Sequence, residues 1–190
     1  PKHIIYTTNA VFIPDGLTMA TNALRLMATN YSGIWNIAED TKEISGFDTH
    51  WDLTFAWEIK SVLTQGSDAN RNMATVARNV AGPAARIVFT ESHDTTGDLN
   101  GGSRLPTAIQ GTEPDGYYAR KRSQLGMALV MTSPGTPMLW QGQEMLETNA
   151  FSDVRPMDWA RTNSQAGNWR LYRDLIRLRR NLDGVSAGLL

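Results

Sequence analysis

The stretch that most restricts this chain is Ile87-Val88-Phe89, followed at once by Thr90-Glu91-Ser92-His93-Asp94. β-Branched and aromatic residues without polar alternation mark a strand buried on both faces, and the abrupt change to Glu, His and Asp marks an end that opens on a polar crevice. Two other runs repeat the pattern. Ile34 to Ala38 ends in Glu39-Asp40, and Met138-Leu139-Trp140 runs into Gln141-Gly142-Gln143-Glu144. A shorter candidate strand covers Gly46 to Trp51.

Helical spacing fills the intervals. Residues 1–16, with the apolar patch Ile4-Ile5-Tyr6 and a Pro14-Asp15-Gly16 turn, read as a connector. A helix is expected from Leu17 to Tyr31, a second through Phe55, Ile59 and Val62, and a third capped by Asp68 and carrying Met73, Val76, Ala77 and Val80. The polar, Gly-rich run from Thr95 to Gly116 is too long for an ordinary connection. Tyr118, Leu125, Ala128 and Leu129 mark a helix ended by Ser133-Pro134-Gly135. The last, from about Asn168, shows Leu171, Leu175, Leu178 and Leu182 on one face, with Arg170, Arg173, Arg177 and Arg180 solvated.

Strands alternating with helices imply an α/β fold with parallel strands and right-handed crossovers, and a functional rim at the strand C-termini. A doubly wound sheet and a (β/α)8 barrel share that rim. The chain lacks phosphate-binding glycine patterns, which favours the barrel.

Composition narrows the chemistry. With 190 residues, 41% of them hydrophobic, the chain can bury a sizeable core, and a net charge of -1 gives no field for nucleic acid or an anionic membrane. No apolar run approaches the ~18 residues of a membrane span. Without cysteine there is no disulfide, thiolate metal site or Cys nucleophile. His3, His50 and His93 are too scattered to suggest a metal site, and Asp94, Asp98 and Asn100 lack the closing Glu of a calcium loop. We therefore expect no metal and no cofactor. The tryptophans read mostly as core, with Trp51 the candidate to stack on a sugar face. The compartment stays open, with the cytoplasm favoured.

Glu39 or Asp94 alone could be a solvated cap. Together they suit cleavage of a glycosidic bond, in which an acid protonates the leaving oxygen and carboxylates stabilise positive charge on the sugar ring.

These segments resemble the α-amylase superfamily of glycoside hydrolases, and in particular its 1,4-α-glucan branching enzymes. IWNIAED at 34–40 is similar to the family's fifth barrel strand with its acid/base Glu, and FTESHD at 89–94 to its seventh with the transition-state-stabilising Asp. GFDTHWD at 46–52 resembles strand six, RKRSQLGMALVMTSPGTPMLWQGQE at 120–144 helix seven with strand eight, and YRDLIRLRR at 172–180 helix eight. The resemblance implies catalytic roles for Glu39 and Asp94 and substrate contacts from His93, with Asp40, Trp51 and Gln143 as further candidates. The Glu-Ser-His-Asp form and Gln-Gly-Gln-Glu point toward branching, with an α-glucan such as glycogen or starch as substrate. The alternatives are an α-amylase-type hydrolase or an inactive glucan-binding relative.

One family feature has no counterpart. The nucleophile is an Asp ending strand four in a Gly-x-Arg-x-Asp setting; Asp15, in its turn, does not match, and the resemblance places that Asp just before Pro1. Residues 1–190 are thus expected to form the C-terminal half of a barrel, about strands five to eight with their helices. Such a half would be poorly soluble or oligomeric when alone, and also inactive, since the retaining mechanism needs a nucleophile about 5 Å from the acid.

Overall fold

The computed structural model describes residues 4–7, 33, 35–39, 47–186 and 188. The helix expected over 17–31, the turn at Asp15 and the candidate Asp40 lie outside them.

Five short parallel strands run side by side in chain order: β1 (Ile4–Thr7), β2 (Trp35–Ala38), β3 (Thr49–His50), β4 (Ile87–Val88) and β5 (Thr136–Pro137). β1 pairs with β2 from Ile4 opposite Trp35, β2 with β3 at Ile37 opposite Thr49, and β4 with β5 at Ile87 opposite Thr136. A single bridge, Trp51 to Ile87, joins the two sheets, reinforced where the Asp52 N–H donates to the Ile87 carbonyl at 2.9 Å. Among the described strands the order never reverses, as it must at the switch point of a doubly wound sheet.

The segment Ile4 to Tyr6 is therefore a strand rather than a connector. The third expected strand is also displaced: pairing involves Thr136–Pro137, and its last ladder bond runs from the Met138 N–H to the Val88 carbonyl at 2.9 Å. Leu139 is already exposed. The apolar run that suggested a strand lines a cavity instead.

Helices fill the crossovers: α1 (Leu53–Thr64) and α2 (Met73–Val80) after β3; α3 (His93–Thr96), α4 (Leu105–Ile109) and α5 (Tyr117–Thr132) after β4; α6 (Arg161–Ser164) and α7 (Ala166–Arg179) after β5. α2 is capped by Asn72, whose side chain accepts from the Thr75 N–H at 3.2 Å, while Asp68 opens a separate 3-10 turn. The Thr95–Gly116 run is not a bare loop, because Leu105 is buried and α4 packs on α5. Phe55, Ile59 and Leu63 of α1 meet Val88, Leu105 and Val130 in one core, and Ile37, Trp51, Ala56, Ile87 and Phe89 form a second. Gly126 permits this contact: a Cβ there would come within 2.9 Å of the Leu63 side chain.

α7 buries a face turned away from the C-terminal half of the leucine stripe. Tyr172, with Leu175 and Ile176, packs on Met127 and Met131, whereas Leu178 and Leu182 are exposed. The buried Arg179 explains the rotation. Its guanidinium donates to the carbonyls of Met131 (2.8 Å), Ser133 (3.0 Å) and Gly135, groups left free where α5 ends. No helix of the described residues is long and apolar enough to cross a membrane.

Asp52 and Arg86 tie the layers together. One Asp52 oxygen caps α1 by accepting from the Phe55 N–H at 2.9 Å; the other accepts from Arg86 at 2.9 Å. Arg86 also donates to the carbonyls of Asn79 (2.6 Å) and Pro134 (3.2 Å), joining α2, β4 and the approach to β5. Removing one partner strands a buried charge, so Asp52→Ala should lower stability by about 3–5 kcal/mol in urea denaturation. A loss below about 1 kcal/mol, the scale of a surface ion pair, would contradict this account.

Candidate active site

Glu39 follows β2, and Ser92, His93 and Asp94 follow β4. The local sequence explains how the second group is presented. Ser92 and Thr95 form a reciprocal capping box: the Ser92 hydroxyl accepts from the Thr95 N–H (3.4 Å), and the Thr95 hydroxyl accepts from the Ser92 N–H (2.8 Å). With these groups buried, His93 and Asp94 occupy the first turn of α3 with their side chains exposed.

Coordinating atoms of Glu39, His93 and Asp94 lie within 4.8 Å of one another, and His93 Nε2 is 3.3 Å from Asp94 Oδ1. Two carboxylates and an imidazole this close can act on one bond or hold one small ion. Glu39 and His93, but not Asp94, line a cavity of about 410 Å³ whose walls include Trp51, Met138, Leu139 and Trp140. The His93 ring stands between two indoles, with centroids 6.1 Å from Trp51 and 6.0 Å from Trp140. Trp51 is itself buried, edge-on to Phe89 at 5.4 Å, so it supplies a fixed wall.

The structure thus brings together Glu39, His93, Asp94 and Trp51. Gln143 does not join them. Its Oε1 accepts from the Trp140 N–H at 2.8 Å and its Nε2 donates to the Thr90 hydroxyl at 3.0 Å, so its amide is spent inside the protein, anchoring the chain at Trp140. Trp140, read from sequence only as part of a strand, is the missed wall residue; an indole at the end of a rim-directed run was the available signal.

Glu91, beside the site in sequence, points the other way and is almost wholly buried. Its carboxylate accepts from Arg104 at 3.2 Å and from the Leu105 N–H. Burial pushes the Glu91 carboxyl up, while Arg104, the Leu105 N–H and the nearby Lys60 pull against it. Arg104, equally buried, also donates to the Gln141 carbonyl at 2.9 Å and so ties the segment after β4 to the segment after β5.

No family model and no curated protein matches the sequence. Solved structures do match. Pullulanase type I from Bacillus subtilis str. 168, complexed with maltose, aligns over 86% of this chain and 28% of its own, with a TM-score of 0.65 and 17% identity. A putative α-amylase from Salmonella typhimurium aligns over 91% of this chain and 42% of its own (TM-score 0.63, 15% identity). The chain shares its fold with these enzymes. The Nostoc punctiforme debranching enzyme, soaked with acarbose, also aligns, with a TM-score of 0.61 at 15% identity over 85% of this chain and 36% of its own. The chain spans less than half the length of each.

The segment after β5 folds around the buried Glu147. One of its oxygens accepts from the backbone N–H of Thr148 (2.8 Å) and Asn149 (2.9 Å), the other from that of Asp158 (3.1 Å). Burial pushes this carboxyl up, but those donors and the Arg161 charge outweigh it and hold the group below its ordinary value of 4.5. A depressed native pKa gives stability that is complete above the unfolded value and disappears as pH falls through the native one. Thermal unfolding midpoints should therefore drop as the pH falls below the ordinary carboxyl value of 4.5, and Glu147→Gln should flatten that part of the profile. An unchanged profile in the variant would remove Glu147 as its source.

Proposed function

We propose that the chain is part of a retaining α-glucan-active enzyme, and that the activity is 1,4-α-glucan branching: cleavage of an α-1,4 bond through a covalent glycosyl-enzyme and transfer of the chain to a glucan 6-hydroxyl. The observation that carries this reading is the approach of Glu39 and Asp94, from the ends of different strands, beside an aromatic-walled cavity. Glu39 is first the acid on the leaving oxygen and then the base on the acceptor. Asp94 stabilises the positive ring, and His93, held between Trp51 and Trp140, binds sugar hydroxyls. The chain-order parallel strands are read as an arc of a (β/α)8 barrel in which β2 to β5 stand for about strands five to eight and β1 for the strand before them.

Two observations favour other readings. The structural neighbours are named as pullulanases, a debranching enzyme and a putative α-amylase, which suits hydrolysis on the same scaffold. β1 stands beside β2, where the resemblance puts the nucleophile strand, and ends at Thr7 without a carboxylate, which suits a glucan-binding relative that does not turn over.

Products from amylose separate the three. New α-1,6 branches without reducing ends mark branching, reducing ends without branches mark hydrolysis, and binding without either marks the inactive relative. In the parent protein Glu39→Gln should abolish turnover with little change in thermal stability; retained turnover would take the acid/base role away from Glu39. Residues 1–190 alone should show none.

A further inference from the structure

A second cavity, of about 320 Å³, lies between the segment 147–159 and Arg104. Its volume falls in the range of small-ligand sites, about 300–1,000 Å³. It backs directly onto the first cavity. The Phe151 ring on its wall meets Trp140 edge-on, 5.0 Å between centroids, and the Arg104 guanidinium lies 6.0 Å from the Trp140 ring. The walls are also tied through backbone: Phe151 donates to the Thr96 carbonyl at 2.8 Å, and its own carbonyl accepts from the Asp98 N–H at 2.9 Å, at the end of the short helix that presents His93 and Asp94.

The lining is of two kinds. Trp159 offers an indole face that is 66% exposed, a large apolar surface left in water. Around it stand planar polar groups of both signs. Arg104 is only 2% exposed; its Nε donates to the Asn149 carbonyl (3.3 Å) and its Nη1 to Glu91 and Gln141, while Nη2 has no acceptor among the described residues. Asp153 and Arg155 complete the rim with opposite charges, so the cavity does not select for an ion. An aromatic face beside carboxylate, amide and guanidinium groups matches a neutral polyhydroxylated ring, which stacks its C–H face and bonds through its edge.

We propose that this cavity is a second saccharide-binding site, stacking a remote glucosyl unit on Trp159 and taking its hydroxyls on Arg104 and Asp153, so that a long α-glucan spans both cavities across the Trp140–Phe151 wall. The proposal rests on the α-glucan reading above. It gives the molecule a chain-length sense: oligosaccharides long enough to reach the second cavity gain contacts that short ones lack.

The test is calorimetric binding of maltoheptaose and maltotriose to the full parent chain carrying Glu39→Gln, which stops turnover, with and without Trp159→Ala or Asp153→Ala. Both added substitutions fall on exposed side chains, and matching thermal melts will show that the variants fold. Loss of one aromatic stacking contact corresponds to about a tenfold loss of affinity. Trp159→Ala should therefore weaken maltoheptaose about tenfold, Asp153→Ala should weaken it in the same sense, and maltotriose should bind as before. Unchanged maltoheptaose affinity, or equal losses for both sugars, would overturn the second site while leaving the α-glucan reading intact. If the parent chain with Glu39→Gln alone binds neither sugar, both readings fall together.

Discussion

The Glu91 carboxylate, closed off from water, is the constraint on which the site side of the molecule depends. A buried carboxylate is tolerable only with partners, and these come from the far end of the following segment: the Arg104 guanidinium and the Leu105 N–H. Meeting that demand folds residues 95–104 back over the end of β4. It also sets Arg104 where it can reach carbonyls of the segment after β5. A single charged group thereby fixes two segments, while the adjacent His93 and Asp94 face outward from the turn locked by Ser92 and Thr95.

The opposite requirement is met through Asp52 and Arg86. There the buried charges serve helix capping and carbonyl satisfaction among α1, α2 and the approach to β5, and no cavity-lining group takes part. Two ion pairs of similar burial thus do different work. One organises layers; the other organises the loops that border both cavities.

What could be read from the sequence follows from the range of each signal. The strand ending at Glu39 and the strand preceding His93 were legible because an unbroken apolar run that stops at charged residues is a local signal, and the resemblance named the same residues. Long-range partnerships were not legible. Arg104 sits in a polar, Gly-rich run where an arginine looks solvated, and only closure of that run reveals Glu91 as its partner. Leu178 and Leu182 followed helical spacing yet are exposed, because the carbonyls at the end of α5 draw Arg179 inward and turn α7 with it. The tryptophans were expected to be mostly core, but Trp57, Trp159 and Trp169 are exposed, and composition carries no information on which indole faces water.

Gln143 has a consequence beyond its failure to line the first cavity. By accepting from the Trp140 N–H and donating to Thr90 at the end of the neighbouring strand, it makes the partition between the two cavities part of the folded core. The conformational entropy of holding the backbone at Trp140 is lost when the chain folds, not when a ligand arrives. A flexible saccharide then meets a surface already fixed in shape, and most of the ordering that remains falls on the sugar.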